Sequence, residues 1–289
     1  MESEHYGMAC MEIWGGNQIA NKRVRTPGLE INVVSRPLEG AGGDVHYVSL
    51  CGGGLTTRIL LADIAGHGNR VADLALQLGK LIRRYINVKD QSRLFARLNE
   101  QMTSWSTNGL FATSLVATYL ADRRELTLSN AGHPRPLLFN ARTSTWKLLT
   151  SHVIDDGRVE DLPLGILGET VYTLREIDLS PGDRVVFYTD ALLDAHDDKG
   201  QALGEAGVLQ AVRRLPVNSG NIASALIDEI FSKAGPNSPA DDATVLELRH
   251  NGEGPEPPSL PQRLKVYGKF FKVVPTRIPV GSARQSSGI

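Results

Sequence analysis

Cysteine is scarce in this chain: its 289 residues hold two, Cys10 and Cys51. They form neither a metal-binding spacing nor a disulfide framework, which fits a reducing, cytoplasmic compartment. Long apolar runs are missing, and none approaches the roughly 20 residues of a membrane-spanning helix. The first residues, Met1-Glu2-Ser3-Glu4-His5, are acidic where a secretory leader would be basic and then apolar. Neither sign of charge is in excess: 31 Lys and Arg stand against 32 Asp and Glu. Nothing global therefore points to nucleic acid or an anionic membrane as partner. There are no internal repeats and no Walker-type phosphate loop. No Ser–His or Cys–His pairing stands out. Cys51 precedes Gly52-Gly53-Gly54, without the phosphate-cradling loop and arginine that a cysteine nucleophile for phosphoesters needs.

What is present is an apolar fraction of 41%, enough for a sizeable core. Residues 1–28 read as a partly ordered N-terminal arm, punctuated by Gly15-Gly16-Asn17 and Pro27-Gly28. From Leu29 the pattern is strand-like: Leu29, Ile31 and Val33 alternate, then Val45 to Leu50, then Thr57 to Ala62. Val71, Leu74, Ala75, Leu78, Leu81, Ile82 and Tyr85 recur at helical spacing. A second helix follows, capped by Asp90 or Ser92, with a stripe of Leu94, Leu98, Met102 and Trp105. Strands are expected over 112–120, 125–129, 136–139, 146–149, 171–179 and 184–188, helices over 205–215 and 221–234, and a closing strand around 245–248. Beyond His250 the prolines Pro255, Pro257, Pro258 and Pro261 mark a linker, and the rest is basic. Hence three parts are expected: an arm (1–28), a folded domain (29–250) and a flexible tail (251–289). Many strands with few, clustered helices indicate an α+β fold with antiparallel sheets.

Four aspartates share one local setting. Asp44, Asp63, Asp190 and Asp241 each lie where a β run meets a turn. Hard divalent cations take oxygen ligands, and carboxylates from separate strands can build an octahedral site. Two such ions can activate a water for in-line attack on phosphorus. Whether Asp44 and Asp63 lie at the same sheet end is open at this level. For Asp63 alone, a helix-capping turn is the competing explanation.

The ordered motifs are Gly42-Gly43-Asp44, Ala62-Asp63-Ile64-Ala65-Gly66-His67-Gly68, Asn130-Ala131-Gly132-His133-Pro134, Pro163-Leu164-Gly165-Ile166, Gly182-Asp183 through Tyr188-Thr189-Asp190, and Asp241-Asp242-Ala243-Thr244. From about Leu29 to Arg249 the chain resembles the bacterial metal-dependent serine/threonine phosphatases of type 2C. The branch it resembles is that of the sporulation and stress-sigma-factor regulators. The resemblance implies a sandwich of two antiparallel β-sheets flanked by helices, with two Mn²⁺ or Mg²⁺ ions at one edge. It implies that Asp63 bridges both ions, that the Ile64 carbonyl adds a ligand, that Asp44 serves one ion, and that Asp190 and Asp241 serve the other. Asp63 and Asp190 would act in catalysis through the water those ions activate. A one-residue slip exchanges Asp241 with Asp242.

The chain departs from the family at two places: Ala191 stands where Gly is usual, and Asp194 where Glu is common. Both lie off the ligand positions. The general-acid histidine of the eukaryotic enzymes aligns with Ala65, so His67 and His133 read as loop-fixing residues and Asp183 as a turn residue. The implied function is hydrolysis of phosphoserine or phosphothreonine on a partner protein, an anti-sigma-factor antagonist or similar switch. No membrane span or nucleic acid is involved, and there is room for a homodimer. With no sensor domain in these residues, regulation is expected from a partner or from the arm. Two rivals are a catalytically dead phosphatase fold serving as a binding module, and a nucleotide cyclase suggested by Gly42-Gly43-Asp44. The cyclase reading leaves the other motifs unexplained.

Overall fold

The computed structural model describes residues 4–5, 11–16, 19–37, 43–51, 54–66, 69–86, 88, 90–105, 109–149, 160–232 and 241–254. Strands β1 (Glu4–His5), β2 (Met11–Gly16), β3 (Ala20–Thr26), β4 (Leu29–Arg36), β5 (Asp44–Cys51) and β6 (Thr56–Ile64) come first. Helices α1 (Asn69–Tyr85) and α2 (Gln91–Trp105) follow, then β7 (Ala112–Leu120), β8 (Glu125–Ala131), β9 (Leu137–Asn140), β10 (Thr145–Leu148), β11 (Arg175–Asp178) and β12 (Arg184–Tyr188). Short α3 (Ala191–Asp194), α4 (Gly204–Arg214) and α5 (Ile222–Phe231) precede the closing strand β13 (Ala243–His250). Two sheets result, ordered β1-β3-β4-β13-β12-β9-β10 and β11-β8-β7-β6-β5-β2. Their pairings are antiparallel except for β1 with β3. The expected sandwich of antiparallel sheets flanked by helices is therefore the fold.

Side-chain parity divides the core into three layers. Ile31, Val33, Val48, Ile59, Leu61, Leu115, Phe187 and Leu246 fill the space between the sheets. Val45, Tyr47, Leu60, Ala62 and Ile64 point the other way, under α1 and α2. Val34, Val186, Tyr188 and Val245 pack beneath α4 and α5. Central strands covered on both faces read as near-continuous apolar runs, which explains the strong β signal of Thr57 to Ala62 and Arg184 to Tyr188. Asp90 starts α2, its Oδ1 accepting the amides of Ser92 and Arg93 at 3.0 and 3.2 Å. Among the described residues no helix is long and apolar enough to cross a membrane.

The arm expected over residues 1–28 is a difference. β2 pairs with β5 in one sheet, and β3 pairs with β4 along its whole length in the other. In β3 only Ala20, Val24 and Thr26 are buried, so burial leaves too weak a period to read; cross-strand hydrogen bonds hold the strand. The expected strand over 171–179 shrinks to β11, and Tyr172, ahead of it, stacks on Phe95 of α2 with ring centroids 4.8 Å apart. At the other end, Asn251 donates from its amide to Gly28 O and from Nδ2 to Thr26 O, each at 3.1 Å, and Arg25 pairs with Glu253. Ordered contacts with β3 thus run past residue 250. The linker and basic tail from residue 255 onward lie outside the described residues.

Candidate functional site

β5 and β6 form a hairpin closed at Cys51–Thr56, and at its open end Asp44 stands directly opposite Asp63. Opposed residues share a face. Here it is the inter-sheet face, since Asp44 has the parity of Val48 and Asp63 that of Leu61. The question left open by sequence is answered: both carboxylates lie at one end of one sheet. The same end of the other sheet supplies the rest. Tyr188 pairs with Val245 as β12 ends and β13 begins, so Asp190 and the Asp241-Asp242 pair leave that sheet side by side.

Thr189 stitches the two sheets. Its amide donates to Thr244 O at 3.1 Å, and its Oγ1 accepts the Thr244 amide at 3.0 Å. The same hydroxyl lies 3.1 Å from Asp44 Oδ2, to which it donates. Asp242 completes the seam, its Oδ2 accepting the Gly43 amide at 2.8 Å. Gly43 is required here because a Cβ would sit 2.8 Å from the Ile64 carbonyl oxygen and 3.3 Å from Asp63 Oδ1. Gly66, at φ +117, turns the chain out of β6 toward α1 in a conformation that side chains resist.

The electrostatics are lopsided. Asp44 is 3% exposed. Burial first, then the charge of Asp63, hold its carboxyl well above the usual carboxylate range, against hydrogen bonds from Thr244 and Thr189 that lower it. Asp63 is pushed up to about 8 by burial, by the charges of Asp190 and Asp241, and by a hydrogen bond shared with Asp190. Asp190 is raised by burial and by Asp194 and Asp241. Two carboxyl groups in hydrogen-bond contact must hold a proton between them. Among the described residues no Lys or Arg forms a salt bridge with Asp44, Asp63 or Asp190. Nor do any three acidic, histidine or cysteine side chains there close on one point as an ion's ligands would. Carboxylates without a countercharge relax apart or share protons. The donor set of hard oxygens crowded without a cation is what a divalent ion fits.

Asp241 and Asp242 have different surroundings. Asp242 is buried and spends an oxygen on the Gly43 amide, whereas Asp241 is exposed and accepts the Asp242 amide at 2.8 Å. Asp183 is a turn residue, as expected: its two oxygens accept the amides of Ala141 and Ser180, both at 2.8 Å. His133 is fixed in its loop by Asn130 on both its amide and its carbonyl. The Pro163–Ile166 motif is held by Asn99 of α2, which accepts the Gly165 amide at 2.9 Å and donates to Leu167 O at 2.7 Å. His67 lies outside the described residues. Sequence reasoning missed Thr189, Thr113 and Asn99. Thr189 carried a signal, since it separates a strand from a candidate ligand; Asn99 looked like the polar face of a helix.

The family model of stage II sporulation protein E (SpoIIE) matches residues 53–251. The chain belongs to the SpoIIE family. Among solved structures it resembles the RsbU and RsbW domains of a Mycobacterium tuberculosis protein with a TM-score of 0.66 at 21% identity, over 85% of this chain and 65% of that one. It thus spans less than two thirds of that relative's length. The PP2C phosphatase domain of SpoIIE from Bacillus subtilis, with a fragment of its regulatory domain, gives 0.64 at 15% identity, over 83% of this chain and 70% of that one. RsbX in complex with magnesium gives 0.57 at 15%, over 80% of this chain and 99% of that one. At such identities the likeness carries the fold: a type 2C phosphatase fold of the sporulation and stress-regulator branch.

Proposed function

We propose that this chain is a divalent-metal-dependent phosphoprotein phosphatase acting on phosphoserine or phosphothreonine. The observation that carries the reading is the convergence of Asp44, Asp63, Asp190 and Asp241 at one end of a SpoIIE-family sandwich, where burial and mutual repulsion raise the carboxyls of Asp44, Asp63 and Asp190. In this reading two Mn²⁺ or Mg²⁺ ions are held by Asp44, Asp63, the Ile64 carbonyl, Asp190 and Asp241. The magnesium bound by the structurally similar RsbX supports metal binding here. Bound there, such ions supply an activated water and charge neutralisation for phosphoryl oxygens. The chain's own residues do the placing. Asp63 and Asp190, already in contact, draw the two sheets' ligands together. Thr189 orients Asp44, and Asp242 holds Gly43 so that Asp44 faces Asp63. Asp242 thus takes the supporting role and Asp241 the direct one.

The substrate in this reading is a phosphorylated anti-sigma-factor antagonist or similar switch protein. The relative whose chain joins an RsbU domain to an RsbW domain supports a partner of that kind. The catalytic unit runs from β2 to about Gly254, with the remaining residues a dispensable tail. Purified protein should cleave an aryl phosphate, and then a phosphoserine protein, with added Mn²⁺ or Mg²⁺. Full activity after complete chelation would overturn the metal reading. The rival, an inactive binding module of the same fold, is favoured instead if Mn²⁺ binds and no phosphoester is cleaved. Capture on an Asp63→Asn variant, followed by phosphosite mapping, would identify the substrate.

A further inference from the structure

Ile166, Leu167, Val171 and Leu174 are 50%, 48%, 50% and 48% exposed. They fall in one short run of chain, whereas the other exposed large hydrophobics among the described residues, Ile19, Leu76 and Val217, stand apart in the sequence. Single apolar side chains on a surface are ordinary; a concentration of them marks contact with another molecule.

The loop that carries them is fixed from inside. Asn99 of α2 is fully buried and spends its side chain on this loop. Its Oδ1 accepts the Gly165 amide at 2.9 Å, and its Nδ2 donates to Leu167 O at 2.7 Å and to Gly168 O at 3.1 Å. Thr170 Oγ1 donates to Leu167 O at 2.8 Å. Asp161 accepts the amide and the hydroxyl of Thr173 at 2.8 and 2.6 Å. Tyr172 is buried against Phe95. Polar groups and one ring therefore hold the backbone, and the aliphatic side chains are left outside, without the gain that burying them would bring.

The loop adjoins the carboxylates. Ile64, next to Asp63, pairs with Ala112, and Ala112 bridges Leu164 on its other side. The amides of Ala112 and Leu164 donate to each other's carbonyls at 3.0 and 2.8 Å. Neighbouring strands lie about 4.8 Å apart and residues advance about 3.3 Å, so Leu164 lies about 10 Å from Asp63. The aliphatic run starts two residues later. A protein bound over the carboxylates in an interface of standard size covers about 800 Å² of this chain, a disc of about 16 Å radius. Such a protein meets the loop.

We propose that the loop from Leu164 to Leu174 is a docking face for the phosphoprotein substrate, taking an apolar segment about 10–16 Å from its phosphoserine or phosphothreonine. The inference rests on the phosphatase reading above. Glu160 lies beside Val171, and Glu169 is exposed between Leu167 and Val171. Among the described residues neither forms a salt bridge. The segment that fits therefore carries Lys or Arg next to its apolar side chains.

The test uses synthetic phosphoserine peptides, Mn²⁺ and the whole chain. An extended peptide advances about 3.3 Å per residue, so Leu-Leu-Lys is placed from about the third residue on either side of the phosphoserine. Control peptides carry Ser-Ser-Lys there. Wild type should favour the leucine peptide about tenfold in kcat/KM, the low end of what a small apolar contact contributes, with the difference in KM. In Leu167→Ser with Val171→Ser the ratio should fall to about one. Val217→Ser removes a similarly exposed side chain beside Arg184, at the far end of β12, and should keep the preference. Leu-Leu-Glu should be a poorer substrate than Leu-Leu-Lys; the reverse order overturns the basic part of the assignment. No preference in wild type, a preference that survives the double variant, or one lost equally in Val217→Ser overturns the docking face. Sedimentation tests the other occupant: a wild-type dimer that the double variant splits makes the loop a contact between copies and overturns substrate docking. Cleavage of an aryl phosphate without any peptide preference overturns the docking alone. Cleavage of neither peptide nor aryl phosphate overturns the phosphatase reading and the docking with it.

Discussion

On the helix-covered face of one sheet, Arg184 of β12 is buried against Glu247 of β13, with side chains 4% and 0% exposed. At the end of the same two strands the chain gathers Asp190, Asp241 and Asp242 against Asp44 and Asp63. The first group is closed on itself. Glu247 takes Arg184 on one oxygen and, on the other, Asn32 Nδ2 at 3.0 Å and the Ile222 amide at 2.9 Å. Arg184 also donates to Val217 O and Ser219 O at 3.2 Å. That pins the α4–α5 connection to the sheet and places a carboxylate at the start of α5, where the helix dipole favours it. In the second group, among the described residues, no Lys or Arg forms a salt bridge with Asp44, Asp63 or Asp190, and their carboxyls are raised instead. A buried charge matched by partners within the chain does structural work; one left unmatched marks where something from outside belongs.

The largest expected effect separates the two groups by activity. Asp63→Asn should lower Mn²⁺-dependent hydrolysis by roughly 10²–10³-fold or more, the scale for loss of a preorganised charge partner. The metal-free variant should melt no lower than metal-free wild type, because the amide, like the protonated carboxyl, needs no countercharge. A variant that melts much lower yet keeps its Mn²⁺ response would make Asp63 a capping residue.

Arg184→Met should do the opposite. Stripping one partner from the closed pair should cost about 3–5 kcal/mol in urea unfolding, with hydrolysis per folded molecule unchanged. Adding Glu247→Leu to Arg184→Met should recover part of the loss, as the stranded carboxylate goes. Stability equal to wild type in Arg184→Met would erase the contrast.

The pH dependence sharpens it. Asp63 has a folded pKa of about 8, raised from the unfolded value. Its protonated form therefore favours the folded state, so this contribution is full at low pH and lost as pH rises through about 8. Asp44 and Asp190 act in the same direction. His46 and His133 act oppositely, with folded values near 4 and near 3 against 6.5. Their contribution is present above 6.5 and lost as pH falls below it. Above pH 6.5 the histidine contribution is complete and the aspartates' still falls, so metal-free protein should lose melting temperature from about pH 6.5 toward pH 9. Saturating Mn²⁺ should flatten the alkaline limb, since it binds only the folded site. An alkaline limb unchanged by Mn²⁺ would detach the carboxylates from the metal.

The smallest effect concerns the ends. Removing residues 255–289 should leave the melting temperature within about 2 °C of wild type. Removing residues 1–28 should lower it well beyond that, since β2 and β3 go with them. A tail deletion that costs as much as the arm deletion would join the tail to the folded unit.

How much of the site was legible follows from which signals are local. Asp44 and Asp63 could be read as strand ends because a β run begins or stops there beside glycines, Gly42-Gly43 before Asp44 and Gly66 after Asp63. The strand over 112–120 was readable to the residue, because a β-rich run buried on both faces ends at the turn Ala121-Asp122-Arg123-Arg124. β3 was not, because Asn21, Lys22 and Arg23 are exposed and its stability comes from pairing with β4. Asn99 was not, because its partners, Gly165 and Leu167, lie in a distant loop.

By itself the sequence determined the α+β class, most of the elements and the short list of aspartates. These rest on side-chain period and turn chemistry, which act over a few residues. Only the tertiary structure decided that Asp44 faces Asp63, and that Thr189 reaches across to Asp44. It alone placed Asp242 on the Gly43 amide and Asp241 in the open, and brought Thr113 and His133 to Asp63's other side. Strand register and the stacking of two sheets join residues far apart in the chain. A one-residue slip would turn each of these side chains to the opposite face.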